Sequence, residues 1–109
     1  MDRFEFLVQG SSAEPYEVII QREGNDLKAN CTCPAGSVGQ YCKHRFAILS
    51  GDASNVIKGA DNVKRAAALM PGTDVDRSWK VMLDAEAKLE SAKRELFAAK
   101  KQLARTMSS

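Results

Sequence analysis

All of the chain's cysteines and its only histidine fall in one short stretch, as Cys31-Thr32-Cys33 and then Cys42-Lys43-His44. Soft and borderline donors in two closely spaced pairs are what a tetrahedral Cys3His zinc site requires. The loop between the pairs is short, so bringing them together costs little closure entropy. The sequence therefore predicts Zn²⁺ held by Cys31, Cys33, Cys42 and His44. Other chemistries fit less well. Cys31 and Cys33 are too close for an unstrained bridge, and an odd cysteine count leaves one thiol over. The Cys-x-x-Cys-His signal for haem attachment is absent. A Cys42/His44 nucleophile pair has no carboxylate beside it to orient the imidazole, so the expectation is that the chain is not an enzyme. The opening residues run straight into Phe4-Glu5-Phe6 with no apolar secretory run, which makes a reducing, cytoplasmic setting the expected one.

The pattern Cys-x-Cys, short loop, Cys-x-His resembles the SWIM zinc finger, and Cys42-Lys43-His44 followed by Arg45-Phe46-Ala47 is similar to that family's second half. The resemblance runs from about Tyr16 to Gly51. It implies a small ββα unit stapled by zinc, of the kind found in Swi–Snf type ATPases and mutator-like transposases. It also implies DNA or a protein as the partner without choosing between them.

The elements that must position these ligands can be read from the flanks. Phe4 to Val8 is aromatic and β-branched, and Gly10-Ser11-Ser12 breaks it. Tyr16, Val18 and Ile20 alternate at period two in a second strand. Glu23-Gly24-Asn25-Asp26 is turn chemistry, and Leu27 to Cys33 should pair back antiparallel, with Leu27, Ala29, Cys31 and Cys33 on one side. Pro34 should stop that strand, and Gly36 and Gly39 should permit the return loop. Cys42 and His44 cannot both lie mid-helix and reach one ion, because residues two apart diverge by about 200°. Cys42 is therefore predicted in a turn, with His44 in the first turn of a helix to about Ser50, capped by Gly51. Phe46 and Leu49 are expected to pack against the sheet.

Residues 52–72 read as a connector. A short helix is predicted over about 62–70, ended by Pro71-Gly72, and 52–61 carries no clear pattern. From Thr73 the signal strengthens. Thr73 is a good N-cap, Asp74 and Asp76 suit the positive helix end, and no Gly or Pro follows. Met82, Leu89, Leu96 and Leu103 recur every seven residues, as do Ala85, Ala92 and Ala99. That is a coiled-coil a/d seam with alanine at d, which favours close antiparallel approach of a second helix. A helix over 74–106 would run about 50 Å, longer than a small domain is wide. The predicted fold is thus α+β. A small antiparallel β-meander and zinc-stapled ββα finger (1–51) precedes the connector (52–72) and a long coiled-coil-like helix (73–109).

Charge adds a little about partners. The net formal charge is +2 and hydrophobic content is 44%, ordinary for a globular protein. No apolar run approaches membrane-spanning length, so no membrane partner is expected. Acids Asp2, Glu5, Glu14, Glu17, Glu23 and Asp26 dominate the first strands, whereas bases dominate residues 28–65. Lys28, Lys43, Arg45, Lys64 and Arg65 are therefore the candidate nucleic-acid contacts. Two functions follow. One is an adaptor with structural zinc that binds DNA or protein. The alternative is a helix-mediated assembly or scaffold protein, homo-oligomeric through its last helix, that binds no nucleic acid.

Overall fold

The computed structural model describes residues 2–108. Strands β1 (Asp2–Val8), β2 (Tyr16–Glu23) and β3 (Asp26–Cys31) form an antiparallel meander. Period-two alternation explains why one face is buried. Phe4 pairs with Ile20 and Phe6 with Val18, while on the other side Val18 pairs with Cys31 and Ile20 with Ala29. Phe6, Val8, Val18, Ile20, Leu27 and Cys31 are all buried. The β2–β3 turn has Gly24 at φ +62° while Asn25 keeps a negative φ, which is the type II′ hairpin pattern.

Two short helices follow: α1 (Pro34–Ser37) and α2 (Lys43–Leu49). Ile48 and Leu49 bring the apolar face of α2 into the core. Its C-terminus closes as a Schellman motif. Gly51 lies at φ +88°, its N–H donates to the Ile48 carbonyl at 3.0 Å, and the Asp52 N–H donates to Ala47 at 2.9 Å. Phe46 departs from the expected core position. It is only half-buried, and its ring stacks on Tyr41 instead, with centroids 4.3 Å apart.

The stretch 52–61, patternless in sequence, contains a fourth strand, β4 (Val56–Lys58), which completes a sheet of order β3-β2-β1-β4. It pairs with β1 through Leu7 and Lys58 and through Val8 and Val56, across an irregularity in register. Gly59 follows at φ +93°, where a Cβ would lie 2.9 Å from the Glu5 carbonyl oxygen. A 3-10 turn (Ala60–Asn62) leads into α3 (Val63–Ala67), so the helix expected over 62–70 stops three residues early. Val63 and Ala66 are its buried residues.

The chain forms two units, one through Asp76 and the other from Arg77 onward. The first turn of α4 (Asp74–Ser108) belongs to the first unit and is tied to the β2–β3 hairpin. The Asp74 N–H donates to the Asn25 carbonyl, and the Arg22 guanidinium donates to the Leu69 and Pro71 carbonyls at 2.9 and 3.0 Å. Thr73 is fully buried, and its hydroxyl oxygen accepts from the Asp76 N–H at 3.2 Å. The Asp76 carboxylate in turn accepts from Gly72 N–H, a reciprocal cap that fixes where the helix starts. The second unit is α4 alone. Leu89, Leu96 and Leu103 are 56%, 56% and 55% exposed, and Ala85, Ala92 and Ala99 are exposed too. Met82 is half-buried. No helix among the described residues is long and apolar enough to cross a membrane.

Candidate metal centre

Cys31, Cys33, Cys42 and His44 meet at the end of β3, where the C-terminal edge of the strand faces the start of α2. Their donor atoms all lie within 4.8 Å of one another. Cys31 is the last residue of β3 and points inward because the strand alternation demands it. Cys33 lies beyond the strand rather than on it. Pro34 opens a one-turn helix at this point, and Cys33 is that helix's N-cap. Its sulfur accepts from the Gly36 N–H at 3.2 Å, and the Cys33 N–H points at the Cys31 sulfur at 3.4 Å. Cys42 is extended and caps α2, and His44 follows within the first helical turn, as the ligand spacing requires. All four are buried, His44 at 8% exposure.

The donor atoms are spaced near the separations that a tetrahedral ion needs, with the Cys33–Cys42 pair closer than ideal. Bonds of about 2.3 Å to sulfur and 2.0–2.1 Å to nitrogen place tetrahedral donors about 3.6–3.8 Å apart. The Cys33 and Cys42 sulfurs are 3.3 Å apart, and His44 Nδ1 is 3.6 Å from Cys42 Sγ and 3.8 Å from Cys31 Sγ. Nδ1 therefore faces the thiols. His44 Nε2 is buried with no partner among the described residues, beneath Gly10 and beside the Tyr16 ring. Two glycines hold this cradle open. A Cβ on Gly36 would lie 2.8 Å from both Cys31 Cβ and the Cys31 carbonyl oxygen, and a Cβ on Gly10 would collide with the Tyr16 ring.

The thiols divide their proton affinities. Burial pushes the Cys31 thiol up to about 12, with the Cys33 N–H opposing it only in part. Burial also raises Cys33, but hydrogen bonds from Gly36 N–H, Cys42 and His44 outweigh it and bring that thiol down to about 6. Near neutral pH one sulfur is thus ready to bind a cation, while Cys31 must be driven to release its proton.

The candidate nucleic-acid contacts do not behave alike. Lys28, Lys43, Lys64 and Arg65 are exposed. Arg45 is half-buried, and its guanidinium donates to the Ala29 carbonyl at 3.0 Å and the Gln40 carbonyl at 2.6 Å. It therefore ties β3 to the ligand loop. Beside the metal cluster is a shallow depression of about 370 Å³ whose rim includes Ser11, Tyr16, Tyr41 and Lys43. Tyr41 is 67% exposed there. The sequence carried a signal for Cys33 as a cap, since proline directly after it is the N1 preference. Gly36 matters through its close approach to Cys31 and Cys33, and Gly10 through Tyr16 and the distant His44, neither of which spacing alone reveals.

Residues 7–50 match the SWIM zinc finger family. No curated protein and no solved structure matches the chain.

Proposed function

We propose that the SWIM zinc finger spanning residues 7–50 holds one structural Zn²⁺ and serves as a binding module. Its contact surface is the Tyr41–Lys43 rim, and its partner is DNA. The carrying observation is the exposed Tyr41 ring, stacked on Phe46 and next to the exposed Lys43. A flat aromatic face beside a cation is suited to phosphate and base contact. Four protein donors fill a tetrahedral shell, which supports a structural rather than a catalytic ion and a non-enzymatic role. A reducing, cytoplasmic setting suits three unbridged thiols.

The test is titration of the zinc-loaded protein with single-stranded and duplex DNA at two salt concentrations. Binding that weakens as salt rises, with a slope reporting at least one phosphate contact, is the expected result. Absence of binding at low salt overturns DNA as the partner. A second reading, protein docking near the same rim, is favoured by two large exposed side chains, Val38 and Tyr41, on the short loop joining α1 to α2.

A further inference from the structure

We propose that α4 pairs antiparallel with α4 of a second copy of this chain, in one register set by its flanking charges. The pairing is independent of what the finger binds.

The helix is continuous from Asp74 to Ser108, and its repeating apolar face is exposed. In heptad terms Met82, Leu89, Leu96 and Leu103 occupy a, and Ala85, Ala92 and Ala99 occupy d. An antiparallel pair places each a residue level with a d residue of the other helix, large against small. Three such registers one heptad apart satisfy the seam. The flanking positions choose among them, because in an antiparallel pair e faces e and g faces g.

In the central register Leu89 meets the partner's Ala92, Leu96 meets the partner's Ala85, and Met82 meets the partner's Ala99. Glu86 at e then faces the partner's Lys93, and Lys88 at g faces the partner's Glu95. Two-fold symmetry repeats both pairs, and every charged e–e and g–g pairing is opposite in sign. Sliding one heptad either way sets Glu86 against Glu86 and Lys88 against Lys88, or Lys93 against Lys93 and Glu95 against Glu95. A parallel in-register pair is mixed, facing Lys88 with the partner's Lys93, like with like, but Glu95 with the partner's Lys100, so it lacks the uniform complementarity of the central antiparallel register. The central register also overlaps the two helices almost end to end, since residues near Asp74 lie opposite residues near Ser108. Charge and length thus select the same arrangement. Within the single chain Lys88 already bonds Asp84 at 3.0 Å, but both side chains are largely exposed, so that ion pair is weak and leaves the ammonium shareable.

The test uses the full-length zinc-loaded protein in sedimentation equilibrium at low salt. Wild type should dimerise. Lys93→Glu sets an acid against Glu86 at both symmetric contacts and should weaken the dimer by about tenfold. Adding Glu86→Lys to Lys93→Glu restores opposite charges and should restore affinity. Both positions are exposed on a helix, and circular dichroism checks that the helix remains formed. A monomer at all concentrations overturns the pairing. Tightening by Lys93→Glu overturns the antiparallel sense, because a parallel pair would then set Lys88 against an acid. Failure of the double variant to recover overturns the register.

Discussion

The Asp74 carboxylate accepts a hydrogen bond from the Leu27 backbone N–H at 3.0 Å, joining the first residue of α4 to the start of β3. Leu27 is buried, and its strand ends at Cys31, the first residue of the candidate metal cluster. The same carboxylate also accepts from the Val75 N–H, so one side chain serves the helix end and the sheet together. The first turn of α4, which looks separate in sequence, is therefore tied to the β2–β3 hairpin. Asp74→Ala leaves the partly buried Leu27 N–H without its acceptor and removes an acid from the helix N-terminus. The expected loss is about 1–3 kcal/mol of unfolding free energy, read by denaturant titration of the zinc-loaded protein. A change within about 0.5 kcal/mol would show that the bond contributes nothing net.

Metal should supply folding energy to the first unit. Its core is small, and structural zinc in small domains contributes on the order of 10 kcal/mol. Cys42→Ser or a strong chelator is expected to abolish the finger's protection in amide hydrogen exchange while residues beyond about 80 keep their helical signal. Retained protection of Val18 and Ile20 after complete chelation would contradict this.

Gly36 is expected to tolerate no side chain. The Cβ of Gly36→Ala meets the Cys31 Cβ and carbonyl oxygen at 2.8 Å, both fixed by the ligand cluster. The loop must shift, carrying the Gly36 N–H away from the Cys33 sulfur. A loss of about 10–100-fold in zinc affinity is expected, measured by chelator competition. Gly24→Ala is a useful control. Gly24 has positive φ but nothing within 4 Å of an added Cβ, so strain should lower stability with little effect on zinc affinity.

Acid should empty the site from below neutrality. Cys33 has a folded value near 6, below its usual 9.0, so its contribution is present above the usual value and is lost as pH falls through about 6. A bound cation holds the thiolate further still. A zinc indicator should therefore report no release at pH 7 and progressive release below pH 6. Release already under way above pH 7 would rule out the hydrogen-bonded Cys33 thiolate as a major anchor.

How much of this was legible depended on whether the signal was local. Cys-x-Cys on an alternating strand and a His two residues after Cys42 could be read from spacing, because strand and helix periods allow few other placements. Thr73 could be read as a cap for the same reason. Val56-Ile57-Lys58 could not be recognised as a strand. Three residues carry no period, and their partner, β1, lies about fifty residues away in sequence. Phe46 reads as core by its apolarity, yet Ile48 and Leu49 face the sheet and the ring turns to Tyr41. Nor does the sequence show that Arg45 is occupied by two carbonyls. A basic residue looks the same in a string whether its charge meets solvent or backbone.

That distinction between Arg45 and its near neighbour Lys43 can be measured. Arg45 bonds the Ala29 and Gln40 carbonyls, holding strand and ligand loop at a fixed separation, whereas Lys43 is exposed on the rim beside Tyr41. Arg45→Ala should remove two charge-assisted bonds, one of them partly buried, and cost about 1.5–3 kcal/mol of stability with a matching loss of zinc affinity. Lysine cannot reproduce a fork that reaches two carbonyls, so Arg45→Lys should recover only part of that loss. Lys43→Ala should leave melting and zinc affinity unchanged. If the rim contacts phosphate, it should lower DNA affinity at low salt and reduce the salt slope by about one. Reversed outcomes, with Lys43→Ala unfolding the finger and Arg45→Ala changing only DNA binding, would mean that the guanidinium leaves its carbonyls in the complex. The binding face would then lie on the Arg45 side of α2 rather than at Tyr41.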